Sequence, residues 1–276
     1  MTSLDTTRLD RDSLEDRSFG RFGRAWSHLR QRGLLEPIRL VHQHGLGASA
    51  GFILRNLRYI LADRLARKWD RQHGVDTAGS IQLAALDVVG PHRDKGNEAV
   101  CTSPRTFDFI MRSLPGDLQK HTFIDIGSGK SRTLLLASRY PFATIVGVEF
   151  ARELVEIARS NIAHFRDPSQ KCRTLSVVET DAAAYGFPDA PLVIYFYNPF
   201  SKDVFDIVLK NLVSSLERQP RDCFIVYGSS SHRAIDWARP AIRDVGIFTE
   251  LPVPPMPRFL DAIRTIDYAV FRVRTA

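Results

Sequence analysis

The chain has 276 residues, of which 44% are hydrophobic and 25% charged, and its formal net charge at pH 7 is +7. These values exclude a disordered or low-complexity chain, and the length allows one full α/β domain with an additional element. Cys101, Cys172 and Cys223 have neither metal-site nor disulfide-framework spacing, and no apolar run is long enough to span a bilayer. We therefore expect no metal and a cytoplasmic protein.

The N-terminal region, residues 1–80, is basic and has apolar residues at helical spacing. Residues 17–71 hold twelve Arg or Lys and three acids, a local balance of +9. We expect a basic helical region here, followed by a second domain at residues 81–276. Three roles stay open: a cap packed on that domain; an element that recruits an anionic or peptide acceptor or forms a homodimer; and a helix at a membrane surface or on nucleic acid. No aromatic residues are interleaved with the basic ones as in RNA-binding patches, so nucleic acid is disfavoured as a partner, as is peripheral membrane contact.

Residues 123–131, FIDIGSGKS, predict a buried strand followed by a glycine turn. A phosphate-binding Walker loop is excluded because Ile124 stands where its first glycine is needed. A dinucleotide fingerprint is disfavoured because Arg132 takes the place of its third glycine. What remains is the pattern D-x-G-x-G, with Glu149 at the end of the next predicted strand. Such a turn lets a ligand approach the backbone closely.

Strands and helices alternate along the rest of the chain, which is typical of a parallel sheet with crossover helices. A helix is predicted at 105–114, before the glycine turn. Further strands are predicted at 144–148, 175–178, 191–197 and 223–227, helices at 151–165 and 202–217, and an antiparallel edge strand at 266–273. Polar residues follow four of the strands: Asp125, Glu149, Asp181 and Asn198. Because ligands of such sheets bind beyond the carboxyl ends of the strands, we expect these four residues at one site.

The glycine turn and the acid after the next strand resemble motif I of the class I S-adenosylmethionine-dependent methyltransferases. With EAVCTSP at 98–104, LLLASRYPFATIVGVEF at 134–150 and YFYNPF at 195–200, the chain resembles, over residues 74–230, a little-characterised bacterial family of that class. A more distant similarity is to the nucleosomal lysine methyltransferases that share this sheet. The resemblance implies an α/β fold, a doubly wound, mostly parallel seven-stranded sheet with an N-terminal helical extension, and S-adenosyl-L-methionine as cofactor.

The resemblance also implies roles for individual residues. The methionine end of the cofactor is expected to meet six residues: Asp125, Gly127, Ser128, Gly129, Thr102 and Ser103. Glu149 is expected to accept the ribose hydroxyls, since a carboxylate can take two donors. Phe150 is expected to cover one adenine face, and Asp181 and the Ala182 amide to meet the adenine edge. Lys130 and Arg132 are expected to be solvated or to begin a helix.

Asn198-Pro199-Phe200 is similar to the N-P-P-[YF] motif of amino-group methyltransferases but is one proline shorter. By that resemblance Asn198 faces the methyl acceptor. A general base is needed only if the acceptor atom arrives protonated. The candidates are His92, His232, Tyr197 and Tyr227.

The sequence therefore predicts transfer of a methyl group to a small molecule or peptide. The alternatives are a protein (lysine-type) or nucleic-acid acceptor recruited by the basic helices, a nicotinamide-dependent oxidoreductase, and a non-catalytic cofactor-binding module. The acceptor atom and the oligomeric state are not specified by any motif.

Overall fold

The computed structural model describes residues 60–79, 88–92, 95–96, 101–229, 232–257 and 267–274, the side chains of residues 232–234 excepted. Within these residues the helices are α1 (60–73), α2 (Pro104–Met111), α3 (Arg132–Ala137), α4 (Arg152–His164), α5 (Lys202–Arg218) and α6 (His232–Asp244). The strands are β1 (Thr122–Ile126), β2 (Thr144–Glu149), β3 (Leu175–Glu179), β4 (Leu192–Tyr197), β5 (Cys223–Ser229), β6 (Phe248–Leu251) and β7 (Asp267–Val273). A short 3-10 helix covers Ala182–Ala184.

The seven strands form one sheet in the order β3-β2-β1-β4-β5-β7-β6. The first five are parallel, and β7 runs antiparallel to both β5 and β6. The order reverses between β1 and β4, and their register pairs Asp125 with Tyr195. Loops leaving such neighbours diverge to opposite faces of the sheet and leave a crevice at the carboxyl ends of the strands.

The sheet is buried on both faces, which explains the continuous apolar runs of its central strands. All five residues of β1 and all seven of β5 are buried. One core lies against α2, α3 and α4 and includes Phe107, Leu135 and Val155. The other lies against α5 and α6 and includes Phe205 and Ile242. The predicted α/β fold with a mostly parallel seven-stranded sheet is confirmed.

The C-terminal edge of the sheet differs from the expectation in one respect. The last strand is antiparallel, as expected, but it is not the edge strand. The segment Phe248–Leu251 pairs with its outer side and forms the edge instead. This strand is only four residues long and follows a helix directly, so its sequence lacks the extended alternation that marks a strand.

Helix α1 packs against the same core as α2, α3 and α4. Its Trp69 is 8% exposed and stacks on Phe165, which follows α4, with ring centroids 6.0 Å apart. The opposite side of α1 is exposed and carries Arg64, Lys68 and Arg71. Among the described residues, no helix is long and apolar enough to cross a membrane.

Candidate active site

A cleft opens at the carboxyl ends of β1, β2, β3 and β4. Asp125, Glu149, Asp181 and Asn198, the four polar residues that follow these strands, all line it. The empty space in and in front of the cleft, open solvent included, is about 1060 Å³.

The glycine turn between β1 and α3 is held tightly from both sides. Gly127 has φ +83° and Gly129 φ +53°. A Cβ on Gly127 would lie 2.5 Å from the Cβ of Pro199, and one on Gly147 would lie 2.6 Å from the Oγ of Ser128. The turn therefore approaches β2 and the end of β4 so closely that only glycine fits at these two positions.

Asp125 is a buried acid at the floor of the cleft, 3% exposed. Burial raises the pKa of its carboxyl to about 8, the Thr133 hydroxyl that donates to it lowers the pKa, and the nearby Glu149 raises it. A cation brought beside Asp125 would favour the carboxylate. The position thus suits a ligand that carries an ammonium group.

Glu149 is also buried, 4% exposed, and its carboxylate accepts three backbone hydrogen bonds. Oε2 accepts from Gly129 N at 2.8 Å, and Oε1 accepts from Phe150 N at 2.9 Å and Ala151 N at 3.0 Å. Burial nevertheless leaves the pKa of Glu149 above its ordinary value, since these bonds lower it less than desolvation raises it. A carboxylate offers about four acceptor sites, so about one is left for a ligand. Glu149 also fixes the glycine turn to the end of β2.

Asp181 contacts the loop that contains Gly90 and His92. The sequence analysis did not predict this contact. Its Oδ1 accepts from Ala183 N at 2.9 Å, which caps the 3-10 helix, and its Oδ2 lies 2.8 Å from His92 Nδ1. Gly90 packs so closely that a Cβ there would lie 2.6 Å from Asp181 Oδ2. His92, Asp181 and Ala182 all line the cleft. A ligand amino group at Asp181 must therefore share the carboxylate with His92.

We name residues 88–92 and 95–96 the strap. Val88 forms a β-bridge with Ala151 after β2, and Gly96 forms one with Phe200 after β4. The strap is thus hydrogen-bonded to the residues that follow two different strands, β2 and β4. Its residues His92 and Gly96 line the cleft.

Asn198 directly follows β4 and has φ +46°; it is one of two non-glycine residues with positive φ in the part of the chain that the structure describes. Its Oδ1 accepts from the Tyr227 hydroxyl at 3.3 Å. Burial raises the pKa of Tyr227 above its usual range. Tyr197 and Phe200 line the cleft on either side of Asn198. The candidate base Tyr227 thus contacts Asn198 directly.

The remaining residues singled out from the sequence have varied positions. Thr102 is 2% exposed, lines the cleft, and its hydroxyl lies 3.3 Å from that of Tyr195. Phe150 lines the cleft and packs against the small apolar cluster of Ala151 and Leu154. Ser103 is the N-cap of α2, where its Oγ accepts from Thr106 N at 3.2 Å, and it is not among the described residues of the cleft. His232 is the first residue of α6, and its side chain lies outside the described residues.

Of the two roles expected for Lys130 and Arg132, Arg132 has the second, since it is the first residue of α3. Neither side chain is largely solvated. Arg132 is 3% exposed, and Lys130 Nζ donates to Asp76 Oδ1 at 3.0 Å and to Ala78 O at 3.1 Å. Both residues line the cleft, together with Thr77, which sequence reasoning missed. Their partners lie more than 50 residues earlier in the chain, and no local pattern indicates such a contact. In the described residues, no group of three or more His, Cys, Asp or Glu is placed to hold a metal ion.

No protein-family model matches the chain, and no curated protein matches it. Among solved structures, it is similar to precorrin-6y C5,15-methyltransferase from Geobacter metallireducens GS-15, at 14% identity and TM-score 0.46, over 70% of this chain and 94% of that chain. It is also similar to an RNA methyltransferase from Salinibacter ruber in complex with S-adenosyl-L-homocysteine, at 17% identity and TM-score 0.39, over 63% of this chain and 92% of that chain. A third is the 23S rRNA methyltransferase ErmE, at 15% identity and TM-score 0.43, over 63% of this chain and 69% of that chain.

The strand order, the glycine turn after β1 and the acid after β2 occur together in this chain. A mostly parallel seven-stranded sheet of this kind is what the resemblance to the class I methyltransferases implies. The Salinibacter ruber protein contains the demethylated form of the cofactor expected for that class.

The expectation that nucleic acid is disfavoured as a partner is wrong. Two of the three methyltransferases above act on RNA by name. The fold therefore gives no ground for setting nucleic acid aside, and the lack of interleaved aromatic residues in the N-terminal region argues only against one mode of RNA recognition.

Proposed function

We propose that this protein binds S-adenosyl-L-methionine in the cleft and transfers its methyl group to an acceptor held beside Tyr197 and Asn198. One observation carries the proposal. Two buried carboxylates, Asp125 and Glu149, flank a glycine turn at the point where the sheet order reverses. This arrangement suits a ligand with an ammonium group at one end and hydroxyl groups further along.

The residues of the cleft fit the parts of the cofactor. Asp125 would pair with the methionine ammonium, with Thr102 nearby for the carboxylate. Gly127, Ser128 and Gly129 would present the backbone to the ligand. Glu149 would accept one ribose hydroxyl with its remaining acceptor site, and Asp181 would accept the adenine amino group, with Ala182 and Phe150 beside the ring.

The bound cofactor would supply a methyl group already activated by its positive sulfur. The protein then has to align the acceptor and exclude water, since proximity and orientation supply much of the rate. Asn198 and Phe200 would position the acceptor, and the strap would shield the site. A base is needed only for an acceptor that arrives protonated, and the candidates remain His92, His232, Tyr197 and Tyr227.

For the acceptor we propose a small molecule or a peptide side chain. This choice is supported by the strap, which is bridged to Ala151 and Phe200 and lines the cleft with His92 and Gly96, since it would limit access for a larger acceptor. RNA is the second candidate. It is favoured by the exposed basic side of α1, where Arg64, Lys68 and Arg71 could contact phosphates.

Calorimetry tests the cofactor first. S-adenosyl-L-homocysteine should bind and NADH should not, and binding of NADH alone would overturn the proposal in favour of an oxidoreductase. Glu149→Gln should weaken the binding at least tenfold, because the amide loses an acceptor for both the ribose and the Gly129 amide. An exposed change of the same chemistry, Glu217→Gln, should have no effect.

Transfer of a radiolabelled methyl group to metabolite, peptide and total RNA pools tests the acceptor. Label in the first two pools supports our first choice, and label in RNA supports the second. Binding of S-adenosyl-L-homocysteine without label in any pool would instead favour a non-catalytic cofactor-binding module.

A further inference from the structure

The side chain of Arg132 lies in the interior and joins α1 to the glycine turn. It is the first residue of α3, directly after Ser131, whose φ is +68°. Its guanidinium pairs with Asp70 Oδ1 at 2.7 Å, donates to Thr77 Oγ1 at 2.6 Å, and lies 4.6 Å from the centroid of the Trp69 ring. The Arg132 and Asp70 side chains are 3% and 9% exposed. This is a buried ion pair with additional hydrogen bonds.

Asp70 uses the same carboxylate to fold the chain that follows α1. Its Oδ2 accepts from Thr77 N at 2.8 Å and from Ala78 N at 2.6 Å, and its Oδ1 accepts from the Thr77 hydroxyl at 2.6 Å. Asp70 therefore places residues 76–79 next to Arg132. Loss of the Asp70 charge would weaken its contacts with residues 77 and 78 and with Arg132.

Residues 76–79 are tied to the glycine turn from a second direction. Lys130 bonds to Asp76 and to the Ala78 carbonyl. Asn161 of α4 donates to the carbonyls of both Asp76 and Lys130, at 2.8 and 2.9 Å. Thr77 and Gly79 line the cleft, beside Gly129 and Arg132.

A buried ion pair is a costly way to attach a helix, because desolvation offsets most of the attraction, and apolar residues of similar volume often serve as well. Its use at the wall of a cleft indicates a requirement for fixed geometry there. The neighbouring contact of Trp69 with Phe165 could attach the helix by apolar packing alone.

We propose that Arg132 and Asp70 are positioning residues of the cofactor site, and that residues 76–79 form one of its walls. The cofactor-binding unit then begins within α1 and not at residue 81, where we had placed the boundary of the second domain. The inference rests on the proposed function, since the ligand it invokes is S-adenosyl-L-homocysteine or its methylated parent.

The first test uses the unaltered full-length chain. Hydrogen–deuterium exchange is measured with and without S-adenosyl-L-homocysteine. We expect protection of peptides covering residues 76–79 as well as those covering 127–130. Protection at 127–130 with none at 76–79 would overturn the inference and leave the proposed function standing. If the ligand gives neither protection nor calorimetric binding, both the inference and the proposed function are wrong.

The second test uses variants below their melting temperatures. Asp70→Asn and Arg132→Lys should each weaken binding of S-adenosyl-L-homocysteine at least tenfold while the far-ultraviolet circular dichroism stays native. Asp206→Asn disrupts an exposed ion pair with Lys202, whose side chains are 46% and 51% exposed, and should leave the affinity unchanged.

A third variant separates positioning from stability. Phe165→Leu loosens the apolar packing of Trp69 but removes no atom of the Arg132–Asp70 ion pair. It should lower the melting temperature without changing the affinity. If Phe165→Leu weakens binding as much as Asp70→Asn does, the ion pair acts only through stability and the inference fails.

Discussion

At the scale of single residues, Asp125 has the most consequential environment in the cleft. Its carboxyl is almost fully buried, and the pKa of about 8 means that most of the free protein carries a proton there at neutral pH. A methionine ammonium placed beside it would stabilise the carboxylate and lower that pKa. Ligand binding and proton release are then linked.

We therefore expect S-adenosyl-L-homocysteine to release up to about 0.9 proton per site at pH 7, as follows from a pKa of about 8 that falls below 7 on binding. Titration calorimetry in buffers of different ionisation enthalpy measures this number directly. Asp125→Asn, which keeps the size of the side chain, should abolish the release. An unchanged release in that variant would show that the proton comes from another group.

The burial of Arg132 could not be predicted from the residues next to it in the sequence. Arg132 was expected to be solvated or to begin a helix. It does begin α3, but its side chain is buried because Asp70, 62 residues earlier, supplies the opposite charge. Ser103 shows the converse case. A hydroxyl near the site was assigned to the cofactor, but three residues later stands Thr106, whose amide it caps. In the structure this hydroxyl caps α2, and its contact with the cofactor stays a prediction.

At the scale of elements, the glycine turn and the end of β4 constrain each other. Gly127 combines a positive φ with the close approach of Pro199. An alanine there would destabilise the folded protein by about 1–2 kcal/mol through the left-handed backbone and by about 1–3 kcal/mol through overpacking.

Gly127→Ala should consequently lower the free energy of unfolding by about 2–5 kcal/mol and abolish cofactor binding. Urea denaturation and calorimetry are the two measurements. Gly186→Ala is the matched control, because Gly186 is exposed and nothing lies within 4 Å of its added Cβ. Equal stability of the two variants would mean that Pro199 moves aside easily.

The strap is the second element with a testable role. Its His92 holds Asp181, and a bound adenine would compete for the same oxygen. His92→Ala should speed both association and dissociation of S-adenosyl-L-homocysteine by about tenfold, the size expected for loss of a hydrogen bond to a charged group.

Stopped-flow fluorescence gives both rates for the His92 variant. The control is His164→Ala on the exposed side of α4. Slower dissociation in His92→Ala would contradict the idea that this contact holds the strap over the cleft.

The elements themselves were largely predictable. Continuous apolar runs such as residues 191–197 mark buried parallel strands, and the observed β4 is Leu192–Tyr197. The four polar residues after these strands line one cleft because parallel strands end at the same edge of a sheet. Strand β6 was not predictable, since its four residues pair only because β7 offers a free edge. The contacts of the strap with Asp181 and Phe200 join distant segments and have no local pattern.

At the scale of the whole molecule, the buried acids link stability to pH. The pKa of Asp125 is raised above its unfolded value, so the stability it contributes is fully present below about pH 4 and is lost as the pH rises towards 8. Within this window the slope is at most about 1.4 kcal/mol per pH unit. The raised pKa of Glu149 acts in the same direction.

The free protein should thus lose stability relative to Asp125→Asn as the pH rises from 5 to 7.5. Urea unfolding of both proteins at several pH values measures the difference. Saturating S-adenosyl-L-homocysteine should remove the loss, because the bound ammonium favours the carboxylate. A difference that is constant over this range would mean that Asp125 ionises in the free protein as it does in the unfolded chain.

The docking of α1 also has a consequence for the order in which the chain folds. Helix α1 is synthesised before any of the described strands, yet Arg132 follows Asp70 by 62 residues and Phe165 follows Trp69 by 96. Contacts this distant form late, because closing a long loop costs entropy before any contact is made. On the ribosome, Trp69 therefore stays without Arg132 and Phe165 until β1, β2 and α4 have emerged. Of the helices that the structure describes, α1 is made first and is among the last to be buried.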